Sequence, residues 1–262
     1  MPSFKITEII NETFSFIKRE IRLIAPVVLS TIGFSNLVMF FLSIEKKNIN
    51  PLSSAMPHQG YYTLLLLFCT FLNIVGYLTL SRLTAVSGET VKQALSLALR
   101  RVISVFVFLF TLSLIFTFVL LSLLIIGNFL SRFLGNTQIL TQPAFLYPAI
   151  SLGLIVTIAI LIKFSFWYVI MMTDKASPFQ AARYSFQITK GLFWRLILVM
   201  MPFAISSYAA SMAYIFAHTH TLKIIVGIIG CILNAAIVSS QVIFLAIIYN
   251  RLKSKLFFYK NR

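Results

Sequence analysis

Arg183, Lys190 and Arg195, with the Ser185 hydroxyl among them, form the group whose types and spacing best suit chemistry. Guanidinium, ammonium and hydroxyl donors fit the phosphate of an anionic lipid headgroup, because clustered cations beside a membrane attract such headgroups. Arg183 and Lys190 lie two helical turns apart and so share a face. The same stretch supports a second reading. Ala181, Ser185 and Thr189 recur every four residues, and small residues at that spacing let another helix approach closely. Headgroup binding and close packing are both open from sequence.

A second group is intramembrane. Lys163 is an ionisable residue well inside an apolar run, where a charge costs about 2.5–3.5 kcal/mol even on the lenient insertion scale. Either its ammonium snorkels to the interface, or it faces a polar cavity between helices. Asn73, Asn234 and Gln241 are the buried amides that would line such a cavity, and interhelical hydrogen bonding is their ordinary alternative.

Other chemistry lacks its parts. The acids are Glu8, Glu12, Glu20, Glu45, Glu89 and Asp174, all outside the apolar runs or at their edges. An intramembrane hydrolase needs an activated nucleophile with a base, or a bound metal. No His-Glu-x-x-His pattern or phosphate-binding glycine loop occurs, and proton relays of buried acids are missing. His58, His218 and His220 have no carboxylate near them in sequence to complete a metal set. The expectation is therefore no catalysis, no metal and no cofactor.

These residues must be positioned by helices in a membrane. The chain of 262 residues is 59% apolar and 11% charged, whereas soluble domains carry roughly a quarter charged residues. The 22 Lys and Arg against 6 Asp and Glu do not read as a nucleic-acid surface, because the cations sit at the ends of apolar runs. Six runs approach the roughly 20 residues that a crossing helix requires. They are 21–41, 62–84, 102–126, 147–172, 192–216 and 222–249. The charged, amphipathic first twenty residues do not read as a signal peptide. Cys69 and Cys231 fall inside apolar runs and read as small packing residues.

Cations fix an orientation. They gather before the first run, between the second and third, between the fourth and fifth, and after the last. By the positive-inside bias those segments, and both termini, are expected in the cytoplasm.

Three of these basic segments resemble one another. Residues 4–19, 88–101 and 178–190 each have apolar side chains at helical spacing and cations near the end, and each precedes a span. They predict three interfacial helices, each lying with its apolar face toward acyl chains or the bundle. The architecture then reads as all-α and polytopic, as three copies of interfacial helix, span, outer loop and span. Ser177-Pro178 supplies an N-cap and a first-turn proline for the third copy, and Gly191 a left-handed terminator. Pro202 lies mid-span and is able to kink its helix.

The run LIKFSFWYVIMMTDKASPFQAARYSFQITKGLFWRLIL, Leu161 to Leu198, resembles the hallmark segment of a bacterial six-span family. That family comprises the YciC-like inner-membrane proteins and the membrane domain fused to some glycerophosphoryl diester phosphodiesterases. The matching positions are Lys163, Asp174, Ala181, Ser185, Thr189, Gly191, Trp194 and Arg195. Relatives often carry arginine at position 163, and proline where this chain has Trp167 to Val169. The resemblance implies a bacterial inner-membrane bundle of undefined role, with hydrolysis confined to a soluble domain in the fused relatives. Two functions follow as expectations. One is binding, handling or passage of membrane lipid or a small amphiphile, with anionic headgroups on the cytoplasmic side as partners. The other is a non-transporting scaffold for another membrane protein of the envelope.

Overall fold

The computed structural model describes residues 6–48, 59–86, 88–133, 153, 156–174, 176–217 and 219–260. Every regular element among them is helical, and six helices are long and apolar enough to cross a membrane: Thr7–Ile44, Gly60–Ala85, Val91–Ile115, Val156–Thr173, Phe193–Phe216 and His220–Lys253. The chain is an all-α, multi-pass membrane protein. His58 and His218 lie outside the described residues.

The first span is α1 (Ile6–Val28), a π-helical segment (Leu29–Gly33) and α2 (Phe34–Asn48) without interruption. It is followed by α3 (Gln59–Ala85) and α4 (Val91–Phe133). The fourth span is broken at 164–166 into α5 (156–163) and α6 (Trp167–Thr173). Then come α7 (Pro178–Thr189), α8 (Phe193–Met212) and α9 (His220–Lys260). Pro202 sits inside α8, which continues through it.

The basic segments differ from expectation. Segments 4–19 and 88–101 do not form separate interfacial helices in their described parts, because α1 from Ile6 and α4 from Val91 continue without a break into their spans. A basic pair is no helix breaker, and neither Arg19–Arg22 nor Arg100–Val102 contains a glycine or proline to stop propagation. Only the third segment is its own helix. The hairpins therefore do not repeat in detail. At 43 and 41 residues, α4 and α9 are each about 60 Å long, twice the roughly 30 Å of hydrocarbon. Their ends must project from it.

The apolar face of α1 is covered by protein only in part, since Ile10 and Phe14 are exposed. Ile9 and Thr13 are buried where α1 packs on α9, and Arg251 of α9 forms ion pairs with Glu8 and Glu12. On α4, Ala94, Ala98, Val105 and Phe108 are buried, while Ile103, Val107, Phe110, Leu114, Phe118, Leu121 and Ile125 point outward at spacings of three and four. That outer stripe would be an insoluble patch in water and is an ordinary surface against lipid tails.

The core gathers around α6. Trp167, Val169, Ile170, Met171 and Met172 are all buried, as an apolar-all-round helix must be, among α3, α7 and α9. Cys69 and Cys231 are buried free thiols, and the Cys231 thiol points at the Asn36 carbonyl.

Candidate functional site

The site is built around the two ends of α6. At its start, the chain leaves α-helical geometry at 164–166, where Ser165 N–H donates to Ile162 and Trp167 N–H to Phe164. Both bonds reach back three residues, so the Lys163 carbonyl loses the Trp167 N–H it would hold in a continuous helix. Ser185 of α7 supplies the missing donor, its hydroxyl 2.6 Å from that oxygen. The break forms without proline.

Ser185 is fully buried, as are Ala181 and Thr189. The small face of α7 is thus a packing face against α6, and Ser185 does not join Arg183, Lys190 and Arg195, which are exposed on the other side. Ser185→Ala should cost about 1 kcal/mol, because it strands a part-buried helix carbonyl. Ser239→Ala should cost almost nothing, since Ser239 only adds a second bond to the Ala235 carbonyl within its own helix. Thermal melting of the two variants in detergent checks the difference, and equal midpoints would reject the role given to Ser185.

Local sequence explains the ends of α7. Ser177 and Gln180 form a reciprocal capping box with Pro178 in the first turn. At the other end the expected left-handed Gly191 is not found. Lys190 and Leu192 N–H groups instead close tight turns onto the Gln187 and Thr189 carbonyls, and the described glycine with positive φ is Gly88, at 86°. Trp194 then stands exposed at the start of α8 beside Arg195.

The far end of α6 is closed by two arginines counted from sequence only as topology signals. Arg82 of α3 donates to the Met172 carbonyl at 2.8 Å, and Arg101 of α4 donates to Met171 at 2.6 Å and to Ala176 at 3.0 Å. Guanidinium forks suit this task, because the last carbonyls of a helix have no partner of their own and carry partial negative charge. Glu89 pairs with Arg82 from across the α3–α4 turn. Asp174, just past α6, accepts from Tyr249 and pairs with Lys253, both on α9.

Each acid whose side chain is described takes a cation. The pairs are Glu8 and Glu12 with Arg251, Glu20 with Arg19, Glu89 with Arg82, and Asp174 with Lys253. Among the described residues, Arg183, Lys190 and Arg195 have no carboxylate within ion-pairing distance.

The intramembrane group does not converge on one partner. Asn73 donates to Ser35, which donates to the Cys69 carbonyl. Asn234 accepts from Ser207, Gln241 donates to the Met200 sulfur at 3.3 Å, and the Lys163 ammonium lies 5.6 Å from the centre of the Phe193 ring. Each thus has a different neighbour, with Asn234 and Gln241 both meeting α8 from α9. No group of three or more metal-ligating side chains occurs among the described residues. Comparison with protein-family models, with curated proteins and with solved structures finds no match to this chain.

Proposed function

We propose that this is a multi-pass protein of a bacterial inner membrane, related to the YciC-like proteins, which binds anionic membrane lipid at its cytoplasmic corner without catalysis. Arg183 on α7 and Lys190 at its C-cap, with Arg195 and Trp194 at the start of α8, form that corner. The observation that carries the reading is electrostatic. Every acid whose side chain is described is already held by another cation, so the corner's charge has no counterion among the described side chains. An anionic headgroup supplies one, and the exposed Trp194 suits the headgroup layer. The gathering of the α1 start, the α9 end and both even-numbered connections at one pole supports cytoplasmic termini.

The separate pairing of Asn73, Asn234, Gln241 and Lys163 favours holding lipid at the surface over passing it through the bundle. It equally favours the alternative of a scaffold for another envelope protein. Native mass spectrometry of gently purified protein separates these readings: retained anionic lipid supports the first, a co-purifying subunit without lipid the second. Arg183→Gln with Lys190→Gln should lower anionic-lipid retention about 10-fold, against about threefold for Lys92→Gln with Arg100→Gln, which removes as much exposed charge elsewhere. Equal losses reject a specific corner.

A further inference from the structure

A second place at the basic pole has the make-up of a binding site, and it was invisible in the sequence. A cleft of about 660 Å³ opens between α1, the end of α3 with its following turn, and α9. Small-molecule sites have volumes of roughly 300–1,000 Å³.

Its walls change character along α1. Glu12, Ser15 and Arg19 line one part, and Leu23 and Ile24 the other. From Glu12 to Ile24 is about 18 Å at helical rise, enough to run from the headgroup layer into hydrocarbon. α9 repeats the gradient across the cleft, with Arg251 and Asn250 followed inward by Ile247.

Unlike the rest of this basic molecule, it carries both signs in near balance. A chain of net charge +16 with 6 acids places Glu12, Glu20 and Glu89 on this one cleft, together with Arg19 and Arg251. Glu89 is tied to the half-buried Arg82 and is structural. Glu20 and Glu12 pair with cations in exposed positions, where an ion pair contributes little and exchanges readily. Asn250 spends its amide N–H on the Ala85 carbonyl, which leaves its oxygen as a further acceptor.

Carboxylates, guanidiniums and an apolar floor together specify the ligand. A purely anionic headgroup would meet three carboxylates, and a simple cation would make no use of the Arg19 guanidinium or the apolar floor. We propose that the cleft binds a zwitterionic phospholipid bearing a primary amine. Its ammonium lies against Glu12 and Glu20, its phosphate against Arg19, and its upper acyl chain along Leu23, Ile24 and Ile247. A primary ammonium donates up to three hydrogen bonds to the remaining lone pairs of Glu12, Glu20 and Asn250, and a quaternary one donates none. The site does not depend on the cationic corner at α7 and has a different selectivity.

The test uses the full chain, exchanged into defined mixtures of phosphatidylethanolamine, phosphatidylcholine and phosphatidylglycerol of matched acyl chains, and read by native mass spectrometry. Phosphatidylethanolamine should be retained about fivefold over phosphatidylcholine. Glu20→Gln, which removes only an exposed pair, should lower that retention about 10-fold without changing phosphatidylglycerol. Leu23→Trp, which fills the floor, should do the same. Arg183→Gln with Lys190→Gln should lower phosphatidylglycerol and leave phosphatidylethanolamine alone, so failure of the corner and failure of the cleft are distinguishable. Equal retention of the ethanolamine and choline lipids, or indifference to Glu20→Gln, overturns the proposal. Displacement of the lipid by equimolar soluble phosphoethanolamine also overturns it, because the apolar floor would then contribute nothing. If Leu23→Trp fails to fold, Glu20→Gln decides alone.

Discussion

Gly230→Leu should cost on the order of 3 kcal/mol or more and release α8 from the bundle, above the usual range of about 1–3 kcal/mol for overpacking. α8 and α9 make the most extensive helix contact in the described chain. At Gly230 they meet backbone to backbone: a Cβ built there would fall inside contact distance of the Ala210 carbonyl oxygen. A side chain in the way is able to swing aside, but a helix carbonyl moves only if its helix moves. α8 has little else to hold it, since only Leu196 and Met200 among its side chains are buried. Gly230→Ala should show the same effect at about 1–2 kcal/mol. Gly60→Leu is the control, because nothing lies within 4 Å of a Cβ at Gly60, and it should stay within about 0.5 kcal/mol of the parent. Denaturant unfolding in bicelles, followed by cross-linking between α8 and α9, reads both outcomes. A Gly230→Leu protein as stable as its parent would show that the two helices are not pressed together.

The second large effect belongs to Arg82. Its side chain is 12% exposed and its partner Glu89 24%, so neither charge is well placed to recover its hydration if the other is removed. Arg82→Leu takes the guanidinium away from a shielded carboxylate and strands the Met172 carbonyl at the end of α6. Breaking one half of a buried pair costs about 3–5 kcal/mol, and partial exposure of Glu89 places this case near 3 kcal/mol. Arg82→Leu with Glu89→Leu should recover most of that loss, and the remainder, about 1 kcal/mol, is the carbonyl. Arg82→Lys should fall between, because an ammonium restores charge but not the fork that reaches carboxylate and carbonyl at once. Arg100→Leu, at an exposed residue two turns beyond Gln93 on the same helix, should be close to neutral. The double-mutant cycle in thermal melting is the measurement, and additive losses from Arg82→Leu and Glu89→Leu would dissolve the claim of coupling.

The six spans were legible because membrane insertion depends on composition over about twenty residues, and composition needs no tertiary knowledge. The small face of Ala181, Ser185 and Thr189 was legible for a similar reason, since helical spacing alone puts the three together. What Ser185 bonds to was not. Its partner is a carbonyl orphaned by an irregularity at 164–166, and no proline marks that break. Arg82 and Arg101 escaped notice because they bind backbone oxygens 90 and 70 residues away, and backbone acceptors have no letter in a sequence. One signal was available for Arg82. Glu89 follows it across a turn containing Gly88, and in a chain with 6 acids an Arg and a Glu flanking a glycine turn mark a candidate pair. The continuity of α1 and α4 is not marked by their cation pairs, which do not stop a helix, whereas Gly191 and its turn do end one in the third segment. The cleft combines three elements distant in sequence, and no local pattern announces it.

The π-helical turn at Leu29–Gly33 sets the phase between the two halves of the first span. A π turn holds one residue more than an α turn, so it shifts every side chain on one side of it by about 100° relative to the other. Thr31 and Gly33 lie where this turn meets Gly76 and Ala235, and close approach there keeps the extra residue in place. Upstream, that angular offset is what turns Ile9 and Thr13 toward α9, and Glu8 and Glu12 toward Arg251; downstream, it lets Ser35 meet Asn73. The turn works as a fixed dial between two registers. Removing the single residue Ser30 would reset it, presenting one half of the span correctly only by misaligning the other.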